Sequence, residues 1–196
     1  MINFVGGEQA AGKKMKSENG WNNGVGGTNV FGFSALPAGD RSYSGMYDNE
    51  GIRTEFWSST KNGNVAYRMF LYYGNDYARQ DVFKNNYGYS VRCLKNYLGD
   101  ENTDSPHEPP KMEQPKKELP KMELSKANTL TDPRDGKTYK IVKIGNQTWM
   151  AENLNVKTKD SWCYDDEESN CKKYGRLYTW DAAMVLQALP PYFHSD

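Results

Sequence analysis

The sequence lacks several features that would assign it to a common functional class. No run approaches about 18 consecutive apolar residues, so no transmembrane helix is expected. The 25 basic and 25 acidic residues give a net charge of zero, whereas nucleic-acid binders usually carry a basic excess. The opening Met-Ile-Asn-Phe-Val-Gly-Gly has neither a basic start nor a long apolar stretch, so a signal peptide is not expected.

Histidine and cysteine are scarce, which limits the chemistry available. The two histidines, His107 and His194, are placed for neither a catalytic triad nor a metal motif. Cys163 and Cys171 have the wrong spacing and too few partners for a zinc site, so we expect a local disulfide. Cys93 would then be an orphan thiol. The sequence therefore predicts no catalytic residue, no cofactor and no firm metal site.

A proline-rich repeat divides the chain. Residues 110–124 read PKMEQ-PKKEL-PKMEL, and a proline every five residues blocks a continuing helix. The alternating Lys and Glu residues keep the segment solvated, so little in it could form a core. We expect a disordered linker over residues 99–127, with one structured part at 1–98 and another at 128–196.

The first part is rich in Tyr, Gly and Asn, a composition that suits short strands joined by long loops. Helical turns are expected near residues 2–5 and 10–15. Alternating apolar positions and turn residues predict an antiparallel meander. Its strands are expected at residues 31–36, 55–60, 65–73, 78–84 and 87–94.

The second part begins with a hairpin pattern. A turn is expected at residues 131–136, then strands at 137–144 and 147–151 joined by Gly145-Asn146. Residues 160–174 read as an acidic loop that contains both local cysteines. A helix is expected from Thr179, which is a plausible N-cap, to Ala188.

Several long motifs resemble one bacterial family. FGFSALPAG, FWSST, AYRMFLYY and YGYSVRCLKN are similar to the C-terminal part of the Fibrobacter succinogenes major paralogous domain. DPRDGKTYKIVKIGNQTWMAENLN and CYDDEESNCKKYGRLYTWDAAM resemble its N-terminal part. The family occurs in secreted and surface proteins and is considered related to the C-type lectin-like fold, as is the formylglycine-generating enzyme group. The resemblance implies an α+β, antiparallel sheet-rich, C-type lectin-like fold with one or two helices, split and circularly permuted in this chain.

The order of the two parts implies the end of one repeat, a spacer and the start of the next. In lectin-like folds the first and last strands are neighbours, so the halves could close on each other through the linker. The family resemblance also implies a disulfide between the last strand and the segment after the first helix. Cys93 lies in that strand, and Leu189 stands where its partner would be, which implies a free thiol.

The lectin-like relatives imply where a ligand would bind. Their corresponding late-strand region carries ligand contacts, although ordinary exposed strand residues would give the same pattern. The candidate contact residues are Tyr72, Tyr73, Asn75, Asp76, Tyr77 and Arg79.

An acidic run is a weaker candidate for a calcium site, because a plain run without an EF-hand pattern is more typical of a solvated loop. Its members are Asp165, Asp166, Glu167 and Glu168. Trp57 and Trp149 are expected in the core.

These observations favour a non-catalytic surface or secreted binding or adhesion module for a glycan, a protein or a cell-envelope ligand. The parent protein would be extracellular or at the cell surface, without nucleic-acid partners and with its oligomeric state open. Two alternatives remain. One is an enzyme related to the formylglycine-generating group with Cys93 as its thiol, although no second cysteine or neighbouring base supports it. The other is a non-functional truncated gene fragment.

Overall fold

The computed structural model describes residues 1–95, here called the first segment, and residues 129–188, the second segment. The linker prediction for residues 99–127 lies outside the described residues, as do His107, Leu189 and His194. The described segments form a sheet-rich α+β structure with three α-helices, one more than the largest number expected.

The first segment contains one α-helix and six strands. They are α1 (Glu8–Met15), β1 (Ala38–Arg41), β2 (Tyr47–Glu50), β3 (Arg53–Asn62), β4 (Val65–Tyr72), β5 (Ala78–Lys84) and β6 (Leu94–Lys95). Strands β1 to β5 form a sheet in the order β2-β1-β3-β4-β5. All its pairs are antiparallel except β1 with β3, where Gly39 lies opposite Thr54 in a parallel pair.

The second segment adds five strands and two helices. They are β7 (Thr129–Thr131), β8 (Thr138–Ile144), β9 (Gln147–Met150), β10 (Ser161–Trp162), α2 (Glu168–Tyr174), β11 (Leu177–Tyr178) and α3 (Trp180–Ala188). Strands β10 and β11 pair with each other, and a four-stranded antiparallel sheet has the order β6-β9-β8-β7. Because β6 belongs to the first segment, this sheet joins the two segments.

Several local predictions are confirmed. The strand predicted at residues 65–73 is β4, and the one at 78–84 is β5. The Gly145-Asn146 turn joins β8 to β9, with Ile144 opposite Gln147. Thr179 caps α3, since its Oγ1 accepts a hydrogen bond from the Ala182 backbone N–H at 3.2 Å.

The strand predicted at residues 31–36 is wrong. Gly32 and Ser34 have φ angles of 68° and 53°, and this left-handed backbone is incompatible with a strand. The alternation that suggested a strand has another cause. Phe33 and Ala35 are buried because they point into the core from an irregular loop.

The acidic loop predicted at residues 160–174 is wrong in part. It includes β10, a 3₁₀ turn at Tyr164–Asp166 and the helix α2, whose last turn contains Lys172 and Lys173. Basic residues in the last turn complement the helix dipole, a signal that the loop interpretation overlooked.

The strand predicted at residues 87–94 is interrupted. It consists of isolated bridges followed by the short β6.

The two segments share one hydrophobic core. Its buried residues from the first segment are Trp57, Ala66, Tyr89 and Val91, and those from the second are Tyr139, Met150, Leu154, Val156, Tyr178, Ala182, Ala183 and Leu186. Tyr89 and Tyr178 exchange two backbone hydrogen bonds of 3.0 and 2.8 Å. The indole N–H of Trp57, which was expected in the core, donates to the Tyr178 carbonyl at 2.8 Å. Strand pairing and side-chain packing therefore bind the segments together.

A second core lies between α1 and the large sheet. It contains Val5, Ala11, Met15, Trp21, Phe33, Ala35, Phe56, Met69, Leu71, Ala78 and Ile144. Trp149 is half-buried and packs against this cluster, close to its predicted core position. This packing fixes α1 against the β4–β5 hairpin, where the predicted contact residues lie.

Candidate functional site

The six predicted contact residues lie together on the connection between β4 and β5, which we call the tyrosine turn (residues 72–79). Tyr72 ends β4, and Arg79 is the second residue of β5. Tyr77 and Arg79 are exposed, and Tyr72 and Tyr73 are half-buried. The structure therefore brings the predicted residues to one surface feature.

Lys16 holds the backbone of the tyrosine turn from beneath. Its ammonium group donates to the carbonyl oxygens of Asn75 at 2.8 Å, Tyr72 at 3.2 Å and Tyr73 at 3.5 Å. The residue is only 1 % exposed, and desolvation lowers the pKa of Lys16. No carboxylate lies within 4.0 Å of it among the described residues. A buried cation bound to three carbonyls restrains the turn strongly.

Helix α1 also contacts the turn directly. The Lys13 backbone N–H donates to the Asp76 carbonyl at 3.2 Å, and the Lys13 and Asp76 side chains lie 3.7 Å apart. A Cβ atom at Gly12 would lie only 2.1 Å from the Tyr77 carbonyl oxygen. Glycine is therefore required where the helix meets the turn.

The side chains of the turn form a small aromatic and polar surface. The rings of Tyr72 and Tyr73 lie 4.8 Å apart, edge to face. The Arg79 guanidinium carbon lies 5.5 Å from the centre of the Tyr77 ring. The Tyr77 backbone N–H donates to the Asn75 side-chain oxygen at 3.0 Å. This arrangement offers ring faces and hydrogen-bond donors on a restrained backbone, which suits recognition.

The four carboxylates of the acidic run are not clustered with one another in the part of the chain that the structure describes, and their role as a calcium site stays a prediction. All four are exposed, and Asp166 accepts a hydrogen bond from the Tyr47 hydroxyl at 2.6 Å. The one cluster of possible metal ligands among residues 1–95 and 129–188 is Glu168 with Cys163 and Cys171. Those two sulfurs form the predicted disulfide, which is confirmed and leaves no thiolate to bind a metal.

A cavity of about 450 Å³ lies between the two segments. Ile2 and Trp57 line it from the first segment, and Trp149 and Leu186 line it from the second. The indole nitrogen of Trp149 is buried without a hydrogen-bond partner among the described residues. The cavity is mostly apolar and is the principal alternative to the tyrosine turn as a ligand site.

Cys93 is a free thiol on the wall of this cavity. Burial raises the pKa of Cys93, although the Arg134 guanidinium opposes this shift. Arg134 is itself occupied, since its Nε donates to Asp132 at 2.8 Å and its Nη1 to the Leu186 carbonyl at 2.6 Å. The geometry favours the neutral thiol over the nucleophilic thiolate.

Several buried ionisable residues escaped sequence reasoning, among them Lys16, Glu55 and Arg92. Lys16 supports the turn, and Glu55 lies fully buried in β3. Arg92 joins the segments by donating to the Asn153 side chain at 2.7 Å and to the carbonyls of Phe33 and Ser34. For Arg92, which lies between Val91 and Cys93, a charged residue inside an apolar pattern was the available signal, but its partners are distant in sequence.

None of the helices within the described ranges combines the length and apolar character needed to cross a membrane.

A search of curated proteins and a search of solved structures gave no significant match. A family model, described as the Fibrobacter succinogenes major domain, matches residues 1–95. The resemblance of residues 128–196 to the same family stays a prediction. The family match therefore identifies residues 1–95 as a Fibrobacter succinogenes major domain.

Proposed function

We propose that this chain is a non-catalytic binding module and that the tyrosine turn holds its ligand. The observation that carries the proposal is Lys16, which fixes three carbonyls of the turn while Tyr77 and Arg79 remain exposed. A restrained loop loses little conformational entropy on binding. Tyrosine also provides contact area at low entropic cost, which suits a glycan, protein or cell-envelope ligand.

The module would act outside the cell or at its surface. The Cys163–Cys171 disulfide supports this setting, because disulfides persist mainly in oxidising compartments. The family match of residues 1–95 supports it through the usual setting of that family in secreted and surface proteins.

The fold that we propose is lectin-like, with its two halves in permuted order. In support, β6 of the first segment pairs with β9 of the second, placing Leu94 opposite Trp149. Two further backbone bonds cross between the segments near this point. The Leu154 N–H donates to Val91 at 2.9 Å, and the Met150 N–H donates to Cys93 at 3.1 Å. The permuted arrangement requires that the last strand of the family's domain lies beside its first strands, and β6 beside β9 fits this requirement.

A non-catalytic role agrees with the environment of Cys93. A nucleophilic cysteine needs a depressed pKa, and burial raises the pKa of this one. Of the described charged groups near it, Arg134 is paired with Asp132 and therefore does not serve as a base or as a free cation.

Screening the purified full chain on glycan arrays, cellulose and bacterial envelope fractions tests the proposal. We expect at least one surface to retain the chain, and the double variant Tyr73→Ala/Tyr77→Ala to weaken retention at least tenfold. Tyr67→Ala is the matched control, because Tyr67 is also an exposed tyrosine on this hairpin but lies on β4 away from the turn. Flat responses on all surfaces would favour the gene-remnant alternative. Equal losses in both variants would remove the turn as the site.

A further inference from the structure

An arginine and several aromatic rings meet where β1, the turn before Tyr89 and β10 come together. The Arg41 guanidinium carbon lies 4.0 Å from the centre of the Trp162 ring and 5.5 Å from that of Tyr47. Two backbone hydrogen bonds of 2.7 and 3.0 Å join Arg41 to Gly88. Arg41 is therefore fixed between residues of both segments.

The charge of Arg41 has no carboxylate partner within 4.0 Å in the described segments. Its Nε is buried and makes no hydrogen bond to any of those residues. Arg53 and Arg68 of the same sheet differ, since they are paired with Asp40 and Asp81. A stacked, unpaired guanidinium presents a planar fork that matches a carboxylate.

The exposed ring of Tyr43 continues the surface beside Arg41. Tyr43 is 63 % exposed, and its ring centre lies 5.8 Å from that of Tyr87. The Lys84 ammonium lies 5.5 Å from the Tyr43 ring. The hydroxyls of Ser42 and Ser44, 2.9 Å apart, lie in the same loop. Aromatic faces give apolar contact to the C–H groups of a sugar, and hydroxyls can bond to its hydroxyls.

We propose that this arginine–aromatic surface, formed by Arg41, Tyr43, Lys84, Tyr87 and Trp162, binds a carboxylate-bearing saccharide. The carboxylate pairs with the guanidinium, and the sugar ring packs on the exposed tyrosine. This site goes beyond the proposed function, because it is separate from the tyrosine turn and takes a defined ligand class.

The charge distribution favours spaced carboxylates over a dense polyanion. The chain has no net positive charge. The Asp166 carboxylate lies beside the surface, where it accepts a hydrogen bond from the Tyr47 hydroxyl at 2.6 Å. A nucleic acid or a heavily sulfated chain would meet this carboxylate without enough cations to compensate. A uronic acid oligomer carries one carboxylate per sugar and fits better.

Calorimetric titration of the full chain with tetragalacturonate tests the inference. We expect binding that weakens with added salt, and at least tenfold weaker binding of the fully methyl-esterified tetramer, which lacks the charges. Arg41→Gln should lower the affinity about 10- to 100-fold, because it removes a charge-assisted hydrogen bond to the carboxylate. Arg41→Lys retains the charge without the planar fork, so its affinity should lie between those of the unaltered chain and Arg41→Gln.

Controls separate this site from the tyrosine turn and from protein ligands. Lys61→Gln is the matched control, because Lys61 also lies over a tryptophan ring but belongs to neither site, and it should leave the affinity unchanged. Arg79→Gln tests whether the tyrosine turn binds the carboxylate instead. Tyr43→Ser is the second variant, used if thermal unfolding shows that the Arg41 variants lose their fold. It removes an exposed ring and should weaken saccharide binding at least fivefold.

Several outcomes would overturn the inference. The first is that tetragalacturonate does not bind at millimolar concentration, and the second is that a glutamate-rich peptide binds as tightly as tetragalacturonate. The third is that Tyr43→Ser leaves the affinity for tetragalacturonate unchanged. The last is that Arg79→Gln loses this affinity and Arg41→Gln does not. The last result would place the carboxylate on the tyrosine turn, so the proposed function would stand while this second site fell.

Discussion

Glu55 provides a quantitative test of the electrostatics in the large sheet. Its side chain is fully buried, and neither carboxylate oxygen makes a hydrogen bond to the described residues. Arg53 and Arg68 lie 2.8 and 3.6 Å from one of these oxygens. Desolvation outweighs both cations and raises the pKa of Glu55 to about 8.

The balance of the neighbouring charges also favours a protonated Glu55. The cluster contains two arginines, Arg53 and Arg68, and two further carboxylates, Asp40 and Asp81. These four charges cancel, so an ionised Glu55 would leave an uncompensated negative charge in the cluster. A protonated Glu55 leaves the cluster neutral.

The sign of the pH effect follows from the proton count. Between pH 4.5 and about pH 8 the folded chain retains a proton on Glu55 that the unfolded chain has released. The free energy of unfolding therefore falls as the pH rises through this window. At 1.36 kcal/mol per pKa unit, the difference between the two pKa values corresponds to a loss of at most about 5 kcal/mol.

Glu55→Gln isolates this effect, because glutamine is a neutral mimic of the protonated acid. Urea unfolding of both proteins at pH 5 and pH 8.5 should show similar stability at the lower pH. At the higher pH the variant should be more stable by several kcal/mol, within the limit of about 5 kcal/mol. Glu8→Gln is the control, because Glu8 is exposed and should show no such difference. A variant that is less stable by the same amount at both pH values would refute the reasoning, since it would mean that Glu55 is ionised and paired.

Three further substitutions or treatments have defined expectations. Reducing the Cys163–Cys171 disulfide should lower the free energy of unfolding by about 2–3 kcal/mol, measured by denaturant titration with and without reductant. Thr179→Ala should cost about 1 kcal/mol through loss of the α3 cap, whereas Thr179→Ser should retain it. Gly12→Ala should destabilise by about 1–3 kcal/mol in thermal and urea unfolding, although alanine is the better helix former, because its Cβ would collide with the Tyr77 carbonyl. A stabilising effect there would contradict the close packing of α1 on the turn.

Local chemistry allowed several elements to be predicted from the sequence. Strands β4 and β5 follow from alternation between turn residues, and the boundaries of β5 are those predicted. The Thr179 cap and the Cys163–Cys171 disulfide involve residues no more than eight positions apart. Such features depend on neighbours in the chain, so the residue order contains the necessary information.

The failures came from residues whose environment is made by distant parts of the chain. Alternation at residues 31–36 indicated a strand, but burial of Phe33 and Ala35 in an irregular loop gives the same pattern. Lys and Glu side chains are almost never fully buried, yet those of Lys16 and Glu55 are buried here. Sequence periodicity describes which face is apolar, and it does not identify what covers that face.

The sequence alone placed the six candidate contact residues around one turn and identified the family that residues 1–95 match. Tertiary structure decided that Lys16 would restrain this turn from beneath, across 56 to 59 positions of sequence. It also set Arg41 of the first segment against Trp162 of the second. These arrangements needed the folded chain because close contact between distant residues arises only when strands pair and cores pack.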